Sequence, residues 1–231
     1  CHEFGHYFAA RKHGIHATLP FFIPVPPIIP LGAFSFPTLG TFGAFIRVRS
    51  PFQNRKQLMD VGAAGPIAGF FVAILAVVYG LATSPVKPII AGEGVSLGDS
   101  LFMRFASWWI HGPLPAHQDI YLNGIAFAGW LGLLITAINL IPIGQLDGGH
   151  ALFAVAPRAH RLLSWATIAA VATLVIVQSF VYWTPSAYTL WLLILIVLRD
   201  RHPRLLDEAE PLGAGRIGVA VLLAVIFVLT F

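Results

Sequence analysis

The chain has 231 residues, 57% hydrophobic and 10% charged, with a formal net charge of +4 and a mean hydropathy of +0.80. Soluble domains carry roughly 25% charged residues, so this composition excludes an ordinary soluble fold and points to a lipid bilayer as solvent. The basic residues form short clusters between apolar runs, not a continuous face, which argues against a nucleic-acid partner; the single cysteine, Cys1, excludes an internal disulfide.

In chain order, the sequence opens at Cys1 with no Met and no signal-peptide pattern, and reads as a fragment whose upstream residues are missing. Residues 1–13 are then the remaining part of a truncated first membrane helix. Residues 18–51 are apolar but hold Pro20, Pro24, Pro26, Pro27, Pro30 and Pro37, each of which fixes φ and removes a donor. Within them Phe42, Ala44, Ile46 and Val48 alternate at period two, which predicts a strand over 40–49. Non-helical backbone at membrane depth is tolerated only against protein or a wet cavity. A re-entrant, β-hairpin-like segment fits that requirement; a loop lying on the membrane surface is the plainer alternative.

Apolar runs at 60–84, 120–141, 162–183, 187–198 and 217–231 complete the pattern, with Thr184-Pro185-Ser186 breaking the chain between the third and fourth. The expected fold is an all-α polytopic membrane protein with about six transmembrane segments, and 1–231 forms one membrane-embedded domain. Twelve of the fourteen Lys and Arg residues fall on one side if 18–51 enters and returns; only Lys87 and Arg104 fall on the other. The basic side should be cytoplasmic, with the 85–119 loop outside.

The chemistry begins at His2-Glu3-Phe4-Gly5-His6. On a helix, His2 and His6 lie ~40° apart around the axis and one turn apart along it, so both imidazoles can reach one metal ion. Glu3 is ~100° away from His2, beside the metal, placed to take a proton from a metal-bound water without being a ligand. Zinc lowers the pKa of such a water to about 7. A pair of interfacial histidines near a helix end is the bland alternative, but a Glu among apolar residues is costly and marks function. A catalytic zinc wants three protein ligands. Asp147 is the best remaining candidate, being the only acidic residue between Asp119 and Asp200; capping the helix that follows is its other reading. Pro142, Gly144, Gly148 and Gly149 break the chain there and permit close backbone approach. His150 is expected to line the cavity, and Trp108, Trp109, Tyr182 and Trp183 to anchor at membrane interfaces. Gly62, Gly65 and Gly69 give one helix a small-residue face suited to close packing.

His2–His6, Gly65-Pro66-Ile67-Ala68-Gly69, and Asn139…Pro142…Leu146-Asp147-Gly148 resemble the motif blocks of the site-2 protease family of intramembrane zinc metalloproteases. The likeness extends through Gly43–Val48 and favours the bacterial and plastid branch without a PDZ insertion. It implies one Zn2+ held by His2, His6 and Asp147, with Glu3 as general base and Asn139 positioning substrate or stabilising the oxyanion. It also implies a membrane-anchored protein as substrate and the bacterial cytoplasmic membrane as setting. A transporter or channel would leave Glu3 between two histidines as coincidence, and a catalytically dead scaffold would not need all four residues.

Overall fold

Asn54 caps the longest helix of the chain: its side chain accepts from the Gln57 N–H, and the helix α2 runs from Arg55 to Ala82. The cap sits before the charged residues Arg55, Lys56 and Asp60, so the helix begins five residues ahead of the apolar run that predicts it. The computed structural model describes residues 1–26, 28–31, 34–37, 41–90, 97–182, 188–198, 205–207 and 210–231. In it, helix α1 (His2–Lys12) precedes α2, and α3 (Leu101–His111), α4 (Gly124–Asn139), α5 (Asp147–Val155), α6 (Pro157–Tyr182), α7 (Tyr188–Leu198) and α8 (Ala214–Thr230) follow.

Two of these, α2 and α6, are long and apolar enough to cross a membrane, and α4 and α8 are shorter apolar helices. The chain is thus mostly helical, with fewer full-length spans among the described residues than the six expected. Large apolar side chains point outward: Phe71, Leu75 and Tyr79 on α2, and Leu174, Val177 and Phe180 on α6, are all exposed. A protein in water would bury such rows, whereas lipid accepts them.

The described parts of the Pro-rich stretch include four short strands. Strand β1 (Phe21–Pro24) pairs antiparallel with β4 (Thr41–Phe45), and β2 (Ile28–Leu31) with β3 (Phe34–Pro37). The β1–β4 ladder continues through a bridge between Ala17 and Val48, and Arg49 N–H donates to the His16 carbonyl. Phe42, Ala44, Ile46 and Val48 accordingly lie on extended chain, although the regular strand ends at Phe45; Gly40 lies outside the described residues.

The 85–119 segment is not the plain loop the sequence suggests. It holds β5 (Val86–Pro88), which pairs with β6 (Gln118–Ile120), and the whole of α3. The break at Thr184-Pro185-Ser186 lies outside the described residues, as do 199–204 and 208–209 of the basic segment. The rest of that segment is anchored. Asp207 N–H donates to the Gln53 carbonyl, and Glu210 accepts from Asn54 and Lys56 at the start of α2.

Glycines bring the helices together. A Cβ on Gly80 would lie 2.3 Å from Ala126 N, one on Gly129 2.7 Å from Val77 N, and one on Gly5 2.3 Å from the Ala64 oxygen. Real Cβ atoms do not approach backbone so closely, so α4 and α1 rest directly on the backbone of α2. The small-residue face expected from the sequence, Gly62, Gly65 and Gly69, meets the side chains of His150, His6 and His2, and α2 becomes the hub against which α1, α4, α5 and α8 all pack.

Candidate metal centre

Helix α1 lies antiparallel along the first half of α2. His2 meets Gly69, His6 meets Gly65, and His13 reaches Asp60. The fit is close: a Cβ on Gly65 would stand 2.1 Å from His6 Nε2, and one on Gly69 would stand 3.3 Å from His2 Nδ1. These two glycines are the slots into which the imidazoles fold.

His6 is buried, and its Nδ1–H donates to the Val61 carbonyl at 2.7 Å. In the neutral ring that bond fixes the tautomer and leaves the Nε2 lone pair facing inward. It faces His2 Nε2 at 3.0 Å and Asp147 Oδ2 at 3.3 Å, while His2 Nε2 lies 3.1 Å from the same oxygen. All three ligand atoms fall within 4.8 Å of one another.

A cation fits this point on two counts. An inward-facing lone pair and a carboxylate oxygen are both acceptors, and two acceptors do not satisfy each other. The separations also suit zinc: ligands at roughly 2.0–2.1 Å in tetrahedral arrangement stand roughly 3.3 Å apart. His2, His6 and Asp147 therefore form a donor set of the right type, count and spacing for one Zn2+ with an open fourth position.

Asp147 arrives from the far side. The turn 140–146 ends with Leu146 at the N-cap position, and Asp147 is the first residue of α5. Its carboxylate is turned to the imidazoles and does not cap the helix. The turn is tight because its glycines allow it: a Cβ on Gly148 would lie 2.0 Å from the Leu140 oxygen, and one on Gly149 2.5 Å from the Ile143 oxygen.

Glu3 follows His2 on α1 and is partly exposed; Asn139 ends α4, partly buried, eight residues before Asp147. His150 is on α5 against Gly62, whose Cβ would meet the His150 Cβ at 3.2 Å. Sequence reasoning missed the Val61 carbonyl and the imidazole-accommodating role of Gly65 and Gly69. A carbonyl has no sequence signal, but the four-residue spacing of the glycines matches that of the histidines. Thr136 was missed as well; its hydroxyl borders the slot of Gly69 beside His2.

A helical, apolar-surfaced protein with His-Glu-x-x-His folded against a distant aspartate defines a class, the membrane metallopeptidases. The model for peptidase family M50 matches residues 1–182, and the chain belongs to that family. Among its relatives is the probable zinc metalloprotease EGY2, chloroplastic, of Arabidopsis thaliana, 34% identical over 160 residues, which is 67% of this chain and 26% of that protein. The probable zinc metalloprotease EGY1, chloroplastic, of the same plant is 29% identical over 99% of this chain and 40% of its own length. The putative zinc metalloprotease Rip2 of Mycolicibacterium smegmatis is 29% identical over 65% of this chain and 51% of its own. The chain thus spans about a quarter of the length of the EGY2 protein and two fifths of EGY1. No solved structure matches it significantly. The likeness to site-2 proteases read from the motifs is borne out.

Proposed function

We propose that this chain is the catalytic core of a zinc metalloendopeptidase that cleaves membrane-anchored protein substrates within or at the edge of the bilayer. The convergence of His2 Nε2, His6 Nε2 and Asp147 Oδ2 carries the reading. Zinc, when bound, supplies Lewis acidity and makes water nucleophilic near neutral pH.

The chain's own residues do the rest. His2, His6 and Asp147 hold the ion, and the Val61 carbonyl keeps the His6 lone pair aimed at it. The Glu3 carboxylate takes the proton of the attacking water and returns it to the leaving amine. Asn139 orients substrate or donates to the developing oxyanion. A substrate helix hides its peptide bonds in its own hydrogen-bond ladder, so it must unwind before cleavage. The β1–β4 ladder, two-stranded among the described residues, supports strand addition as the way the unwound segment is held.

In this proposal the protein is integral to a membrane, with about six segments, residues 18–51 re-entrant and the basic loops on the cytoplasmic side. The bacterial cytoplasmic membrane expected from the sequence draws no support from the plant relatives, which are chloroplastic by name.

The test is Glu3→Gln in the full-length parent, assayed on a membrane-anchored substrate with zinc content measured in parallel. Retained zinc with cleavage reduced by roughly 10²–10⁴-fold is expected of a lost general base. Unimpaired cleavage would remove Glu3 from the reaction, and a zinc-free wild-type protein would remove the reading itself.

A further inference from the structure

The helix that interrupts the 85–119 segment is sunk well below the end of α2. Phe102, at its start, stacks edge-on against Phe70 with ring centroids 6.2 Å apart. His111, at its end, donates from Nε2 to the Leu81 carbonyl at 2.9 Å. Between these points Met103 and Ala106 pack with Ala73, Val77 and Leu81. Nine residues of α3 cover roughly 14 Å and eleven of α2 cover roughly 17 Å, so the two helices run side by side in the same direction. Phe70 follows Gly69, the residue against which His2 folds. Helix α3 therefore starts near the depth of the metal donors and climbs to the end of α2.

The approach to α3 is sunk too. Trp130 of α4 donates from Nε1 to the Gly98 carbonyl at 2.7 Å, and its neighbour Gly129 lies against Val77. Ser100 is buried and caps α3 by accepting from the Met103 N–H. The buried start thus has a capping side chain in place of water.

The opposite face of α3 is apolar and uncovered. Leu101 is 47% exposed, Phe105 57%, Trp108 61% and Trp109 67%. They form one stripe by helical spacing. The polar member at its edge is Arg104, which is exposed as well.

Given the reading that α2 crosses the bilayer, we infer that α3 is a re-entrant helix seated in the outer half of the membrane, with Leu101, Phe105, Trp108 and Trp109 packed against phospholipid acyl chains. The 85–119 segment is then not wholly external: the chain leaves with α2, turns at the β5–β6 hairpin, and dips back. The aromatic pair near the upper end of α3 matches the interfacial preference of tryptophan.

The test uses single-cysteine forms of the full-length parent, with Cys1→Ser and every cysteine outside residues 1–231 replaced by serine, reconstituted into liposomes. Leu101→Cys and Phe105→Cys probe the stripe, Leu75→Cys on α2 is the lipid-facing reference, and His117→Cys beside the hairpin is the aqueous reference. A membrane-impermeant maleimide should label the two stripe positions on the order of ten-fold more slowly than His117→Cys. A permeant fluorophore attached there should be quenched by acyl-brominated phospholipid as strongly as one at Leu75→Cys. Labelling at the rate of His117→Cys, with Leu75→Cys protected, would overturn the inference and leave the membrane reading intact. Protection without quenching would also overturn it, since protein and not lipid would then cover the face. Free labelling of Leu75→Cys would sink the membrane reading first.

Discussion

At the residue scale, the proposed centre depends on two absent side chains as much as on the three donors that would hold the metal. Alanine is a better helix former than glycine by about 1 kcal/mol, so Gly65→Ala would stabilise an isolated α2. In the folded chain its Cβ meets the His6 ring at 2.1 Å. We predict that the substitution lowers zinc affinity by roughly 10–100-fold, the range for losing a ligand's orienting contact, as measured by competition with a chromophoric chelator. Asp147→Asn keeps the shape but removes the charge, and should weaken zinc binding by more than Gly65→Ala does in the same assay. Much of this was legible from sequence: His-Glu-x-x-His declares its own geometry, and Asp147 is conspicuous in a long stretch without acids. The Val61 carbonyl was not, because a backbone acceptor has no residue type.

At the element scale, apolar length predicts the position of α2, α4, α6 and α8 well and their ends poorly. Helix α2 starts at Asn54 because a cap and the Glu210 contacts, not hydropathy, fix it there. Helix α3 escaped for a related reason. At eleven residues, and interrupted by Arg104, it does not form a membrane-length apolar run, and its burial comes from α2 and α4, which no local pattern records. The extended Pro-rich stretch was legible because proline excludes helix, but the pairing of its strands is a tertiary fact. Two predictions belong here. Ala44→Pro removes a backbone N–H from β4 and should abolish cleavage while zinc content stays at the wild-type level; full cleavage would argue against strand addition. Gly80→Val drives a side chain into the backbone of Ala126 and should lower the melting temperature in detergent, with a cost of about 1–3 kcal/mol for overpacking.

At the scale of the whole molecule, one carboxylate ties three helices. Asp60 on α2 accepts from Arg216 Nε at 2.8 Å and Nη2 at 2.7 Å, and from His13 Nε2 at 2.9 Å. The pair is about a third exposed, so its value lies between surface and buried limits. Asp60→Asn should cost about 1–2 kcal/mol, the range of charge-assisted hydrogen bonds partly open to solvent. It should loosen α1 and α8 together, which limited proteolysis near residues 13 and 213 would register. In the proposed reading the metal acts at this scale too, since His2 and His6 come from one element and Asp147 from another, 141 positions along the chain from His6. A ligand that binds only the folded state stabilises it, so chelation should lower the melting temperature of the wild type and leave that of a His2→Ala, His6→Ala double variant unchanged.

Zinc K-edge X-ray absorption on the purified parent protein reaches the central claim most directly. The expected spectrum shows imidazole scattering from two histidines and a light-atom shell of nitrogen and oxygen at about 2.0–2.2 Å, with no sulfur; His6→Ala should remove one imidazole contribution. A sulfur shell at about 2.3 Å, or a spectrum unaffected by changes at His6 and Asp147, would contradict the account.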